Sequence, residues 1–222
     1  MITIHHLEDS RSQRVLWLLE ELGLDYEIEF YKRDPKTMLA PDSLKEIHPL
    51  GRSPVIDDNG QVVAESGAII EYLVHRHGQG RLIPPENSDA RLRYTYWLHY
   101  AEGSLMPFLL LKIVFDRLGK PPMPLIMRPA AALIAAGVKG KFVTPRIDEH
   151  LDYVESELAR HKWFAGDELT GADIQMSFPL EAAAARAGIG AERPHIQKFV
   201  DRIHARPAYK RALERGGPYS YA

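Results

Sequence analysis

A change of hydrophobic pattern near residue 80 constrains the fold of this 222-residue chain more than any other feature. Before that point, short β-rich runs alternate with apolar residues at helical spacing, and after it only helical patterns recur. The charge changes at the same place: residues 1–80 hold 8 basic and 14 acidic residues, a net of −6, whereas residues 81–222 hold 20 and 16, a net of +4. The sequence therefore predicts two units, residues 1–80 and residues 89–222, joined by a linker that contains Pro84 and Pro85.

The first unit is predicted to have the element order β-α-β-α-β-β-α. Gly23 stops the first helical pattern, and Asn59-Gly60 favours a hairpin turn between two strands. Because a βαβ unit requires parallel strands and a hairpin requires antiparallel ones, the sheet is predicted to be mixed and four-stranded. The strands are expected at residues 2–5, 26–30, 54–56 and 62–63, and the helices at residues 15–22, 39–47 and 66–77.

The second unit is predicted to be all α, with helical patterns at residues 89–118, 144–161, 172–187, 194–205 and 207–215. Pro107 lies inside the first of them, and we expect a kink or a break there because proline cannot donate the helical hydrogen bond. An apolar segment, residues 123–127, would suit the border of a cleft. Aromatic side chains cluster on the first helix, and such clusters usually form core or interface: Tyr94, Tyr96, Trp97 and Tyr100.

The composition excludes several classes of function. The chain has no cysteine, which rules out disulfides, thiolate metal sites and a cysteine nucleophile. Its ten histidines form no His-Glu-x-x-His motif, so we expect no metal site. A net charge of −2 gives no electrostatic signal for nucleic acid or an anionic membrane. The N-terminus lacks a signal peptide and no run approaches the roughly 20 apolar residues of a membrane span, so a cytoplasmic location is expected.

The first candidate motif, residues 10–14 (SRSQR), lies between the first strand and the first helix. A helix N-terminus offers free N–H groups and a partial positive charge, which suit an anion. Serine is also a common N-cap residue, so Ser10 or Ser12 could simply cap the helix. Both interpretations remain open from the motif alone.

Two further motifs lie beside the later strands. If the bond between Ser53 and Pro54 is cis, the backbone N–H and C=O of Ser53 could pair with an extended, peptide-like ligand; otherwise this is an ordinary loop. Glu65 and Ser66 precede a helix, where Ser66 suits a carboxylate and Glu65 an ammonium group. Together they suit the headgroup of an α-amino acid, although Ser66 could also be a plain N-cap beside a solvated Glu65.

These three motifs, in this order and on this frame, resemble the cytosolic glutathione S-transferase superfamily over essentially the whole chain. The first unit resembles its thioredoxin-like domain and the second its all-α domain. Ser10, four residues before Arg14, is similar to the catalytic serine of the theta- and delta-like classes. The amino-acid sequence that begins at Ser10 looks closest to that of bacterial and fungal members. The Pro-Cys that often follows that serine is replaced by Ser12-Gln13, which makes Ser12 a competing assignment. Thr170 and Asp173 resemble the capping box of the family's α-domain.

The resemblance implies a glutathione site on the first unit. Ser10 would stabilise the thiolate of glutathione, and Arg11 would lie near the thiol or the second substrate. The positions implied for binding glutathione are Arg52 for the glycine carboxylate, Ser53 and Pro54 for backbone pairing with the cysteinyl unit, and Glu65 and Ser66 for the γ-glutamyl group.

The resemblance also implies an enzyme, a glutathione transferase of detoxification that adds the thiolate to a small, apolar electrophile. Glutathione is then a cosubstrate, no cofactor is implied, and the expected assembly is a homodimer. Two alternatives stay open. One is a non-catalytic binding or regulatory protein with the glutathione-transferase fold, and the other is a glutathione-dependent disulfide reductase.

Overall fold

The computed structural model describes residues 1–186 and 188–221, and its first part is a four-stranded sheet. The strands are β1 (Ile2–Leu7), β2 (Tyr26–Tyr31), β3 (Val55–Asp58) and β4 (Gln61–Ala64). Their order is β2-β1-β3-β4, with β1 parallel to β2 and antiparallel to β3, and with β3 antiparallel to β4. The predicted mixed sheet is thus confirmed.

Three helices accompany the sheet: α1 (Ser12–Leu22), α2 (Leu44–Ile47) and α3 (Ser66–His77). The end of α1 is set by Gly23, whose φ of 65° is a left-handed conformation that a residue without Cβ adopts at little cost. The second helix is shorter than the predicted residues 39–47. Pro41 explains why residues 39–40 are not helical, because proline disfavours a helical conformation in the residue before it and has no N–H to donate.

Beyond the linker, the described residues form helices, which confirms the predicted all-α part. These are α4 (Asp89–Tyr100), α5 (Met106–Arg117), α6 (Arg128–Val138), α7 (Thr144–Arg160), α8 (Gly171–Arg186), α9 (Pro194–His204) and α10 (Pro207–Gly216). Sequence patterning does not predict α6. The pattern expected to end at residue 187 gives α8, and residue 187 itself lies outside the described residues.

The helix around Pro107 does not break. A π-helical turn, Ala101–Leu105, joins α4 to α5, so that Asp89–Arg117 is one continuous helix. Pro107 is the second residue of α5 and directly follows this turn. A π-turn changes the hydrogen-bond spacing at the place where proline removes a donor, and this accommodates Pro107 without ending the helix.

The predicted capping box at α8 forms, but with a different role for its threonine. The Asp173 carboxylate accepts hydrogen bonds from Thr170 N–H at 2.8 Å and from Phe164 N–H at 2.8 Å. The Thr170 hydroxyl donates to that same carboxylate at 2.9 Å and does not accept from the N–H of Asp173. Burial is the reason: Asp173 is completely inaccessible, so its carboxylate needs every available donor.

One hydrophobic core runs through both parts of the molecule and fixes the orientation of α1. Trp17 of α1 packs edge-to-face on Tyr209 of α10, with ring centroids 5.5 Å apart. The Trp17 indole N–H donates to Glu21 at 2.8 Å, and Glu21 also pairs with Arg206. Since α1 is held by the helical part as well as by the sheet, the turn before it has a fixed position.

The helix Asp89–Arg117 is long and apolar enough, by length and composition alone, to cross a membrane. In the fold, its side chains Tyr94, Trp97 and Leu105 are buried in the core. Packing within the protein therefore explains part of its apolar character, since 33% of its most apolar 18-residue stretch is buried.

Candidate active site

A cavity of about 660 Å³ lies between the sheet-containing part and the helical part. On one side it is bounded by the turn between β1 and α1, by residues 38–40 and by the segment before β3. On the other side it is bounded by α5, α8 and the C-terminal tail. The predicted site residues that line it are Ser10, Arg11, Arg52 and Ser53.

Ser10 and Ser12 have different positions in this site. Ser10 lines the cavity, whereas Ser12 lies behind it and is completely inaccessible. The two hydroxyl oxygens are 2.7 Å apart, and the N–H of Ser12 donates to Ser10 Oγ at 3.2 Å. The hydroxyl of Ser10 is thus presented at the start of α1 next to the cavity, and Ser12 supports it from within.

His6 continues this hydrogen-bonded chain into the core. Its Nδ1 lies 2.8 Å from Ser12 Oγ, and its ring is 3% exposed. Burial lowers the pKa of His6 to about 4, against a smaller opposing effect of a backbone hydrogen bond with Gly216. A neutral ring can accept the hydroxyl of Ser12 at Nδ1, and Ser10 then donates to Ser12 Oγ, so the chain from His6 to Ser10 is intact at neutral pH. To donate to a ligand in the cavity, the hydroxyl hydrogen of Ser10 turns away from Ser12.

Arg14 connects the two parts of the molecule directly behind the site. Its guanidinium donates to Ser66 Oγ at 2.8 Å, to the Glu102 carboxylate and to the backbone carbonyl of Gln175. Arg11 also donates to Glu102, at 3.1 Å. Burial raises the pKa of Glu102, but the two arginines outweigh it and hold that pKa below the usual value. Glu102 is therefore a carboxylate that fixes two arginines of the predicted motif.

The sequence analysis did not identify Glu102 as a site residue. One local feature of the sequence, Pro107, indicates an unusual helix geometry near it. Glu102 lies in the π-turn between α4 and α5, five residues before Pro107. That proline predicted a disturbance of the helix, and such turns often occur at functional sites. The partner of a carboxylate some 90 residues away along the chain cannot be read from local pattern.

The Ser53–Pro54 peptide bond is cis, as predicted. The Ser53 hydroxyl donates to the carbonyl of His5 at 2.9 Å and accepts from the N–H of Leu7 at 3.3 Å, which holds this segment against β1. In the part of the chain that the structure describes, the N–H and C=O of Ser53 have no hydrogen-bond partner. Ser53 thus offers a free backbone pair beside the cavity, while Pro54 is buried behind it.

Glu65 and Ser66 are not among the residues that line the cavity. Glu65 is exposed and has a φ of 70°, a strained conformation for a residue with a Cβ. Ser66 is the buried first residue of α3, and Arg14 donates to its hydroxyl. Arg52, in contrast, is exposed on the lining, and its side chain has no hydrogen-bond partner within the described residues.

The cavity is cationic and partly apolar. Within residues 1–186 and 188–221, seven basic side chains line it against the two carboxylates of Asp9 and Asp116. Apolar side chains come from the helical part, among them Leu110, Ile113 and Phe178. A net charge of −2 for the whole chain conceals this local excess of positive charge. The basic side chains are Arg11, Arg33, Arg52, Lys112, Arg117, Lys120 and Arg186.

The C-terminal tail completes the cavity wall, and sequence reasoning did not find it. Ser220 donates through its N–H and its hydroxyl to the Asp9 carboxylate, at 2.8 Å each. Tyr221 lines the cavity, and the Arg186 guanidinium carbon lies 4.7 Å from the centre of its ring. The tail is thereby tied to the turn that carries Ser10.

Two apolar groups lie away from this cavity. The segment 123–127 does not line it, so its expected place at the cleft is wrong; Ile126 there is 90% exposed. In the aromatic cluster of α4, the side chains of Tyr94, Trp97 and Tyr100 are buried, as expected of core, whereas Tyr96 is 46% exposed. Neither group contributes to the candidate site.

Two family models match the chain. One, described as "Glutathione S-transferase, N-terminal domain", matches residues 10–76, and the other, described as "Glutathione S-transferase, C-terminal domain", matches residues 141–207. The first of these ranges contains the three motifs of the first unit. The second contains the Thr170–Asp173 cap.

Three individual proteins show the same similarity over nearly full length. A curated relative from Schizosaccharomyces pombe, Glutathione S-transferase 3, is 37% identical over 97% of this chain and 88% of its own. Glutathione S-transferase 1 from Saccharomyces cerevisiae is 34% identical over 97% of this chain and 95% of its own. Among solved structures, a glutathione S-transferase from Actinobacillus pleuropneumoniae has a TM-score of 0.81 at 33% identity, covering 99% of this chain and 94% of its own.

Proposed function

The chain belongs to the glutathione S-transferase family, and from this premise we propose how its cavity takes up two substrates. The protein is an enzyme, a glutathione transferase. One observation carries the proposal: Ser10, Arg11 and Ser53 from the first part line the same cavity as apolar side chains of α5 and α8. Glutathione occupies the wall formed by the first part, and an electrophile occupies the helical wall.

The thiol of glutathione is activated by Ser10. A free thiol with a pKa of about 8.5 is only a few per cent ionised at neutral pH, and lowering that pKa by about two units requires about 2.7 kcal/mol of preference for the thiolate. A hydroxyl hydrogen bond to a charged acceptor supplies roughly 1.5–3 kcal/mol, and the N-terminus of α1 adds about 0.3–1 kcal/mol. Arg11 adds positive charge at the same wall. The thiolate then forms a bond from sulfur to carbon, and the leaving group departs with its electron pair.

The two ends of glutathione are held apart from the reacting sulfur. Arg52 takes the glycine carboxylate, because it is an exposed cation on the cavity wall. Ser53, before cis Pro54, pairs through its backbone with the cysteinyl unit. Ser66 takes the γ-glutamyl carboxylate at the N-terminus of α3, supported by Arg14, and Glu65 takes the ammonium group.

The proposal extends to the organisation of the protein. Residues 1–80 act as the glutathione-binding domain and residues 89–222 as the all-α domain that shapes the second site. The protein works in the cytoplasm as a homodimer, in the detoxification of electrophiles, and needs no cofactor beyond its cosubstrate.

Binding and turnover measurements test the placement of glutathione. Charge-assisted hydrogen bonds contribute roughly 1.5–3 kcal/mol each, so Arg52→Ala and Ser66→Ala should each weaken glutathione binding about tenfold or more in calorimetric titration. Arg76→Ala removes an exposed arginine outside the cavity and should leave the affinity unchanged. Unchanged affinity in both site variants would refute the placement.

The same preparation separates the possible activities. We expect conjugation of glutathione to an aromatic chloride such as 1-chloro-2,4-dinitrobenzene, followed by its absorbance. Glutathione binding without turnover would instead indicate a binding protein. Turnover only with a small organic disulfide would indicate a reductase.

A further inference from the structure

Resting on the proposed function, we propose that the electrophilic substrate carries an anionic group, such as a carboxylate, beside its apolar or aromatic reacting part. The basis is an excess of cations on the helical wall of the cavity, opposite the residues assigned to glutathione.

Four of the seven cavity cations come from the helical part. Lys112 and Arg117 lie on α5, Lys120 follows that helix, and Arg186 is the last residue of α8. Among the described residues of the helical part, the one carboxylate that lines the cavity is that of Asp116. It accepts from Lys112 at 2.7 Å, and Lys139, which is outside the lining, approaches it at 2.5 Å.

Three of these cations are not neutralised. Among residues 1–186 and 188–221, no carboxylate lies within salt-bridge distance of Arg117, Lys120 or Arg186. Arg186 faces the ring of Tyr221 at 4.7 Å, an interaction that leaves its positive charge in place. Uncompensated cations in a cleft with low-dielectric walls attract and retain anions.

Glutathione does not account for these cations. Its glycine carboxylate is assigned to Arg52, its γ-glutamyl carboxylate to Ser66, and its thiolate to Ser10 and Arg11. All four residues belong to the first part of the chain. The cations of α5, of the residue after it and of α8 lie on the other wall, where the second substrate must sit to meet the sulfur.

The same wall is apolar between its charges. Leu110 and Ile113 of α5 and Phe178 of α8 line the cavity beside the cations. A purely apolar electrophile would form no ion pair with the cations, and a small inorganic anion would not cover the apolar surface. A molecule with an aromatic body and an acidic group uses both.

Kinetics with a matched pair of electrophiles tests this. We would compare 4-chloro-3-nitrobenzoate with its methyl ester at saturating glutathione, dividing each kcat/KM by the uncatalysed rate constant to remove intrinsic reactivity. The acid should have a KM at least fivefold lower than the ester. Raising NaCl to about 0.5 M should raise the KM of the acid and not that of the ester, because salt screens charge–charge attraction.

Variants locate the effect. Arg117→Gln combined with Lys120→Gln should raise the KM of the acid about tenfold and change the KM of the ester far less, while Arg117→Lys should keep most of the preference for the acid. Lys141→Gln is the matched control, because Lys141 is an exposed cation outside the cavity lining. It should leave both KM values unchanged.

The outcomes are distinguishable. Turnover of both electrophiles with no preference for the acid overturns this inference and leaves the transferase function in place. A preference for the acid that survives the double variant combined with Arg186→Gln also overturns it, because none of the three uncompensated cations would then be its cause. Turnover of neither electrophile contradicts the proposed function, and this inference falls with it.

Discussion

Ser10 and Ser12 are two residues apart but have different surroundings. Ser10 borders the cavity, whereas Ser12 is enclosed between Ser10 and His6. A group that binds the sulfur must reach the cavity, and this favours Ser10 as the thiolate donor. Ser12 then orients Ser10 through its backbone N–H, which donates to Ser10 Oγ at 3.2 Å, and the Ser12 hydroxyl is held by His6.

Replacing Ser10 by alanine is expected to raise the pKa of bound glutathione and to lower turnover at neutral pH. The affinity for glutathione should stay nearly unchanged, because its two ends are held elsewhere. Thiolate absorbance as a function of pH measures the first effect, and steady-state kinetics the second. Full activity in Ser10→Ala together with loss in Ser12→Ala would move the assignment to Ser12.

The low pKa of His6 predicts how stability depends on pH. The folded-state pKa is about 4, below the unfolded value of about 6.5, so the unfolded chain binds more protons between these values. This contribution to the free energy of unfolding is therefore fully present above about pH 6.5 and is lost as the pH falls towards 4. The difference of about 2.5 units corresponds to about 3 kcal/mol.

Urea unfolding at several pH values between 4 and 7 measures this contribution. His6→Gln cannot titrate, so the variant should show a weaker pH dependence than the natural chain over this range. Other titrating groups are common to both proteins and cancel in the comparison. An NMR titration that places the pKa of His6 near 6.5 would contradict the prediction.

At the scale of elements, the continuous helix Asp89–Arg117 serves the site through its π-turn. The turn carries Glu102 to Arg11 and Arg14 of the first part. Arg14 is 1% exposed, so it depends on Glu102 for the neutralisation of its charge. The helix therefore determines both the shape of the cavity and the position of the arginine that supports Ser66.

Replacing Glu102 by alanine is expected to destabilise the fold. Loss of one partner from a fully buried ion pair costs about 3–5 kcal/mol. Because the Glu102 side chain is 32% exposed, we expect less, about 2 kcal/mol, in denaturant unfolding. The control is Glu149→Ala on α7, which removes an exposed pair with Arg146 and should change stability by less than about 1 kcal/mol. Equal effects of the two changes would contradict the role given to Glu102.

The bounds of a helix or strand could be predicted from the sequence where neighbouring residues set them. The end of α1 follows from Gly23 and the hairpin from Asn59-Gly60, so both were predictable. The later start of α2 also has a local cause, Pro41. The prediction of a helix over residues 39–47 followed the spacing of apolar residues and did not take this proline into account. The helix geometry at Pro107 was not predictable in detail. A proline shows where a helix is perturbed, but not whether the result is a break, a kink or a π-turn.

At the scale of the whole molecule, the opposite charges of the two parts bear on assembly. The net charges of −6 and +4 suit a two-fold contact between the first part of one subunit and the helical part of another. Exposed aromatic side chains on α4 and α7 offer apolar surface on the helical part: Tyr96 is 46% and Tyr153 is 38% exposed.

We expect a homodimer of twice 25.2 kDa in sedimentation at micromolar concentration. Tyr96→Asp should shift the equilibrium towards monomer, because it places a charge in the apolar part of the contact. Leu133→Asp is the control, since Leu133 is 76% exposed and lies on α6, a different helix from those that carry Tyr96 and Tyr153. A stable monomer of the unaltered protein would contradict the prediction.

For the first unit, the sequence alone determined the order of elements, the mixed sheet and the three motifs, because periodicity, turn residues and caps act over a few neighbouring residues. The tertiary structure alone decided what surrounds those motifs. Glu102 beside Arg14, the tail at Asp9 and the cations opposite Ser10 come from segments about 90 or more residues away along the chain. Such contacts depend on how packed elements meet, and no local pattern carries that information.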